Sequence, residues 1–210
     1  MNLSLSAILG FLAAYLLGSF PTSYIFTRIL KGTDIRESGS KNAGATNVFR
    51  VVGKLPGIIT LIIDILKGVL AVTLIARFFY PCQLKMEYGF YQFLLGFAAI
   101  CGHIWPVFLK FRGGKGVAAT IGVAMVTAPV ILLPSIGVWI AVFMGTGYVS
   151  LASILSFAVF PVLAVICGLS FYKILFSVII CSIVVLKHSP NIHRLINGEE
   201  NKTKIFKVKI

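Results

Sequence analysis

The chain has 210 residues, 58% of them hydrophobic and only 12% charged, with a net charge of +13 and a mean hydropathy of +0.98. A soluble domain could not hide that much apolar surface, so the composition points to an all-α, polytopic integral membrane protein. The positive charges lie between apolar runs and form no continuous stripe, which argues against a nucleic-acid binder; basic loops beside a bilayer set orientation and attract anionic lipid.

The first apolar run covers about residues 3–26. The first 27 residues contain no Lys or Arg, so the basic start of a signal peptide is missing and the run reads as a retained span. A loop with Arg28, Lys31, Arg36, Lys41, Arg50 and Lys54 follows, against Asp34 and Glu37. A second run covers about 55–80 and a third about 89–109, joined by a connector with one Lys and one Glu. The loop after the third run carries Lys110, Arg112 and Lys115. The positive-inside rule then places the N-terminus outside, the 28–54 and 110–116 loops inside, and the 81–88 turn outside.

Residues 117–144 are apolar for 28 positions. That is one tilted span or two short helices, since a full span needs roughly 20 residues. Pro129 and Pro134 interrupt the run near its middle. Two more runs cover about 148–168 and 171–186, and the tail from Lys187 holds six Lys/Arg and two Glu. A hairpin at the prolines gives seven transmembrane helices, two of them short, and a cytoplasmic C-terminus, which the basic tail favours over six crossings. The whole chain reads as one domain. Cys82, Cys101, Cys167 and Cys181 are scattered, with neither disulfide-framework nor metal-ligand spacing.

Three polar patches interrupt the apolar sequence: residues 38–47 (Ser-Gly-Ser-Lys-Asn-Ala-Gly-Ala-Thr-Asn) followed by Arg50, residues 111–116 (Phe-Arg-Gly-Gly-Lys-Gly), and residues 187–194 (Lys-His-Ser-Pro-Asn-Ile-His-Arg). Each combines small residues, cations and neutral donors, which suits an anionic oxygen. The bland alternatives are a flexible loop, a juxtamembrane basic turn and an interfacial histidine. The second patch is not a Walker loop, because Lys115 is followed by Gly and Leu109 stands where the first Gly belongs. In the third, His188 and Asn191 share a face if the helix continues, with His193 pointing elsewhere. Asp64 and Lys67 lie deep in the second span, where charges are expensive; their spacing allows a mutual pair supporting a site. His103 reads as a helix-end structural residue, and Ser150 and Ser153 as caps unless seven crossings bring them to the inner face.

Taken together, the segments resemble the bacterial acyl-phosphate:glycerol-3-phosphate acyltransferase family (PlsY) over essentially the full length. They are Gly18-Ser19-Phe20-Pro21, the 39–47 segment with Arg50, Gly102-His103 with Pro106-Val107-Phe108, residues 113–118, Ser150-Leu151-Ala152-Ser153, and residues 188–195 with Gly198 and Glu199. The resemblance implies an enzyme of the bacterial cytoplasmic (inner) membrane, its site facing the cytoplasm. It would move a fatty acyl group from acyl phosphate to the 1-hydroxyl of sn-glycerol 3-phosphate, giving lysophosphatidic acid and inorganic phosphate, with no metal and no cofactor. By the same resemblance Ser40, Arg50, Lys115, His188 and Asn191 form the catalytic set. Asn42, Gly44, Thr46 and Asn47, with Gly113, Gly114 and Gly116, hold the acyl phosphate group, and Ser153 lies at the rim. The acyl tail would enter sideways from the inner leaflet. The H-x-x-x-x-D pattern of acyl-CoA-type enzymes is absent. Lys41 stands where the family commonly has a small residue, and the Lys-rich segment 201–210 is an extension suited to anionic lipid. The rival readings are a transporter of a phosphorylated metabolite and a membrane scaffold. The first would place its polar groups at midplane rather than in loops; the second needs no clustered glycine-lysine loops.

Overall fold

The computed structural model describes residues 3–80 and 86–203, and every element among them is helical. Cys82 and the segment 204–210 of the basic tail lie outside the described residues. The contacts divide the chain into two compact units, residues 1–128 and 129–210.

The first unit begins with α1 (Leu3–Ser19) and α2 (Thr22–Lys31), separated at Phe20-Pro21. The apolar run expected as one span is thus two helices. Pro21 has no amide hydrogen to donate and sits where the chain turns into the basic-ended α2. A single turn at Ile35–Glu37 and the seven-residue α3 (Ala45–Val51) make up the polar loop. α4 (Lys54–Leu70) continues through a wide π-turn, Ala71–Ile75, into α5 (Ala76–Phe79). The Gln92 amide donates to the Val72 carbonyl in that turn at 2.6 Å. α6 (Tyr88–Ile104) and α7 (Val117–Thr127) complete the unit.

Its core is made largely of small residues, Ala14, Ala71, Ala76 and Ala99, around the buried Tyr91 and Leu95. Between lipid-facing helices there is no hydrophobic driving force, so close backbone approach and dispersion hold them together. The glycines record that approach. A Cβ on Gly18 would strike the Ala99 carbonyl, and one on Gly122 the Ile65 carbonyl. Gly18 and Gly102 therefore seat α1 on α6, as Gly68 and Gly122 seat α4 on α7.

The second unit holds α8 (Pro129–Thr146), α9 (Val149–Ile166), α10 (Phe171–Lys187) and α11 (Ser189–Ile196). The expected interruption of 117–144 occurs at Ala128-Pro129. Pro134, expected to share in it, lies inside α8. One lost backbone bond in the second turn is tolerated there; the Ser135 hydroxyl bonds Ile131 O at 2.7 Å, and Ser156 reaches across from α9 to Ser135 O at 2.8 Å.

Among the described residues, five stretches are long and apolar enough to cross a bilayer, and six if α10 and α11 count as one span bent by 57°. α7, with 11 residues, is about 16 Å long and short of a full crossing.

Candidate functional site

In the first unit, the first polar patch is organised by one side chain. Asn47, 1% exposed, accepts from the Ser40 amide at 2.9 Å and donates to three carbonyls: Ser38 at 2.9 Å, Ile35 at 3.1 Å and Asn42 at 3.1 Å. Its amide thus wires the loop to itself. Gly39 lies alongside with φ +59°, and a Cβ there would collide with the Asn47 carbonyl oxygen. Lys41 takes the same left-handed backbone at φ 59° without glycine's freedom. Only glycine would avoid that strain, so side-chain size does not explain the sequence departure. Gly44 is the extended residue from which α3 starts, and Asn42, Thr46 and Arg50 are half-buried around it.

The loop is fastened at its base by Asp34. Its carboxylate caps the Ile35–Glu37 turn and pairs with Arg36 at 2.6 Å. The Arg36 hydrogen bonds hold the Asp34 carboxyl below the usual carboxylate range despite partial burial. Arg36 also donates to the Leu109 carbonyl at 2.9 Å, in front of the second patch.

That second patch turns sharply, with Lys110, Phe111 and Gly116 all at positive φ. The Gly113 and Gly114 amides, expected to face an anion, bond instead to the Ile104 and His103 carbonyls at 3.2 and 3.0 Å. Amide donors from this patch come from beyond Gly114, where α7 begins and its first-turn N–H groups have no intrahelical partner. The two patches meet: a Cβ on Gly114 would lie 2.9 Å from the Ala43 carbonyl and would strike His103 Nε2. Ile35, Ala43, Val48 and Leu109 form one small core under both. Lys115 is half-buried beside them.

Behind the loops, the Asp64–Lys67 pair forms as its spacing allows. Lys67 Nζ lies 2.6 Å from Asp64 Oδ1, and both residues are buried. The ammonium also donates to Phe20 O at 2.6 Å, a carbonyl exposed by the break between α1 and α2.

In the second unit, α10 stops at Lys187 and His188 lies at the turn into α11. His188 and Asn191 are both buried, whereas His193 is exposed. His188 Nδ1 lies 2.8 Å from the Val184 carbonyl. A carbonyl only accepts, so Nδ1 carries a hydrogen, which makes Nε2 the acceptor whenever the ring is neutral. Asn191 donates to Glu200 Oε1 at 2.7 Å, and the Ser150 hydroxyl donates to the same oxygen at 2.8 Å. Arg194 Nε donates to Oε2 at 2.7 Å. Burial alone would raise the Glu200 pKa, but these three donors and the Arg194 charge outweigh it and hold the carboxyl below its ordinary value. Ser153 is buried, bonds back to Val149 O at 2.8 Å and accepts from Trp139 Nε1 at 3.2 Å.

Sequence reasoning missed Glu200. The match it rested on reached Glu199, which is exposed. Two adjacent carboxylates in a strongly basic tail were the available signal, but adjacency does not say which one turns inward.

Long apolar helices, two glycine-containing loops in contact, and a buried His188 and Asn191 at a short helix define the class of polytopic helical membrane proteins with structured polar loops. Comparison specifies it. The family model described as glycerol-3-phosphate acyltransferase matches residues 8–198. Similar curated relatives include the glycerol-3-phosphate acyltransferases of Thermoanaerobacter sp. (strain X514), 42% identical over 93% of this chain and 95% of the relative, and of Desulforudis audaxviator, 41% identical over 95% and 96%. Two crystal structures of PlsY (YgiH), an integral membrane glycerol 3-phosphate acyltransferase, superpose with TM-scores of 0.84 for the glycerol 3-phosphate form and 0.81 for the lysophosphatidic acid form. They are 35% and 34% identical, each covering 95% of this chain and 96% of the other. The chain belongs to the glycerol-3-phosphate acyltransferase family, integral membrane acyltransferases of phospholipid synthesis. Membership decides against the transporter and scaffold readings.

Proposed function

We propose that this protein transfers a fatty acyl group from acyl phosphate to the 1-hydroxyl of sn-glycerol 3-phosphate, releasing inorganic phosphate and lysophosphatidic acid. The observation that carries the reading is the contact between the Ala43 and Gly114 loops, in a chain of this family whose loops also carry Arg50 and Lys115 in sequence. Both substrates carry phosphate, and neutralising several negative charges close together is what paired small-residue loops with cations can do.

The hydroxyl oxygen attacks the acyl carbon, the new ester bond forms, and the acyl carbon–oxygen bond to phosphate breaks with its electron pair leaving on phosphate. The hydroxyl proton ends on that phosphate. Acyl phosphate is a mixed anhydride with a good leaving group, so positioning and charge stabilisation supply most of the rate without a protein nucleophile, metal or cofactor. Ser40, Arg50, Lys115, His188 and Asn191 bind and orient glycerol 3-phosphate. The 42–47 and 113–116 loops hold the acyl phosphate, and Ser153 lies at the rim. His188, with Nε2 as acceptor, orients the hydroxyl rather than removing its proton. The family model runs through both units without interruption, which supports assigning them to one reaction and one functional domain. The chain crosses the bacterial inner membrane seven times, with α7 as a short crossing, the N-terminus outside, and the polar loops and C-terminus cytoplasmic.

The test is turnover of the purified protein in detergent. Acyl phosphate with glycerol 3-phosphate should yield lysophosphatidic acid and inorganic phosphate in equal amounts, while acyl-CoA should yield neither. Product from acyl-CoA alone would overturn the donor assignment, and abolition of turnover by His188→Gln with substrate binding intact would make His188 the base.

A further inference from the structure

Two buried hydroxyls in the first unit have no hydrogen-bond partner among the described residues: Ser19 Oγ and Thr22 Oγ1, on residues 0% and 2% exposed. Buried polar groups are rarely left bare, because the lost solvation is then uncompensated. Both line a small polar well at the break between α1 and α2, together with Asp64, Lys67, His103 and Gly114. His103 Nδ1 lies 3.8 Å from Asp64 Oδ1, too far for a direct hydrogen bond and suited to one bridged by water. Asp64 is already paired with Lys67, so the well has no uncompensated charge with which to hold an ion. It needs a small neutral group that both donates and accepts.

The far wall of the well is the catalytic side. His103 Nε2 abuts Gly114, the His103 carbonyl accepts from the Gly114 amide at 3.0 Å, and Gly114 lies against Ala43. Polar groups therefore line up from Phe20 O through Lys67 and Asp64 to His103, with one gap of 3.8 Å between Asp64 and His103, and reach the contact between the two loops. Ionised groups this deep in a membrane protein are expensive and are retained for a task.

We propose that His103 and Asp64 are positioning residues: with Lys67 and the hydroxyls of Ser19 and Thr22 they hold ordered water beneath the loops and thereby fix Gly114 against Ala43 for binding of the acyl phosphate group. The proposal rests on reading 113–116 as an anion loop.

Its test uses the full chain in detergent. His103→Ala should raise KM for acyl phosphate at least tenfold, leaving kcat per folded enzyme within threefold and KM for glycerol 3-phosphate within twofold. His103→Gln, which keeps a polar atom facing Gly114, should recover most of the loss. The paired variant Ser19→Ala/Thr22→Val, nearly isosteric and apolar, should raise the same KM three- to tenfold, and it decides the matter if His103→Ala does not fold. Unchanged acyl phosphate KM in the paired variant, or a lowered unfolding midpoint with every KM intact in either variant, would overturn the proposal. A substrate-independent readout separates it from the functional reading: protection of the unfolding midpoint by inorganic phosphate should need about tenfold more phosphate in His103→Ala. If the wild type makes no lysophosphatidic acid yet shows this phosphate shift, the donor assignment fails and the positioning network stands; if phosphate protection is the same in wild type and variant, the network fails.

Discussion

The two units build their candidate sites by opposite means. In the first, the 38–47 loop is held by a neutral amide: Asn47 makes four bonds to backbone atoms, and glycines let the loops approach. In the second, a charge does the work, with Glu200 collecting Ser150, Asn191 and Arg194. A backbone cradle held by an amide does not titrate. A carboxylate clamp binds tightly but responds to pH, and it places a negative charge in a chain otherwise suited to anions. The first arrangement fixes the course of a loop at any pH; the second fixes the short helix that carries Asn191 and Arg194.

The comparison predicts a graded set of outcomes. Asn47→Ala strands one amide and three carbonyls, so it should cost about 3–5 kcal/mol of stability at ~1–3 kcal/mol per buried unsatisfied group, less what water recovers. Thermal unfolding in detergent should show a large drop, with activity lost. Asn47→Asp should do nearly as badly, because it keeps the bond from Ser40 and loses the NH2 group whose two hydrogens three carbonyls share; near-wild-type behaviour would mean the amide does not organise the loop. Gly114→Ala should leave the fold intact while displacing the loops by a fraction of an ångström, lowering kcat/KM roughly 10–100-fold.

Glu200→Gln retains an acceptor but loses the charge facing Arg194, for a loss of about 1–2 kcal/mol. Its pH dependence separates the two regions. The folded pKa of Glu200 is lowered, so its contribution is complete above the ordinary carboxylate value and is lost as pH falls below that value through the folded one. Unfolding midpoints measured downward from pH 6 should therefore fall less steeply in Glu200→Gln than in the wild type, and parallel curves would remove Glu200 from the clamp. The smallest effect belongs to His193→Ala. That side chain is exposed, and activity should stay within about twofold, as is usual for surface substitutions remote from a site.

Hydropathy alone located α4, α6, α9 and α10, because roughly 20-residue apolar runs have few other uses. It was blind to the break at Phe20-Pro21, since a two-residue interruption barely alters an average taken over a span. Proline reading succeeded at Pro129 and failed at Pro134: a missing amide costs nothing in the first turn of a helix, where Pro129 stands, and one lost bond five residues further on does not by itself end α8. The polar patches were legible as loops and helix ends by residue type. What was not legible was that Asn47 turns inward, that the Gly113 and Gly114 amides bond to the end of α6, and that Glu200 rather than Glu199 is buried. Those outcomes depend on which way a side chain or amide faces, and that is set by tertiary neighbours far along the chain.

The wide turn at Ala71–Ile75 amounts to one extra residue accommodated within a long helix, capped by Gln92. It works as a phase shifter. Each residue of a regular helix rotates the next by about 100°, so the turn sets the facing of Asp64 and Lys67 on one side of it independently of that of Ala76 and Phe79 on the other. Deleting a single residue there would restore a regular helix and swing the Asp64–Lys67 pair out of line with Phe20 and His103, although every residue named at the site would still be present.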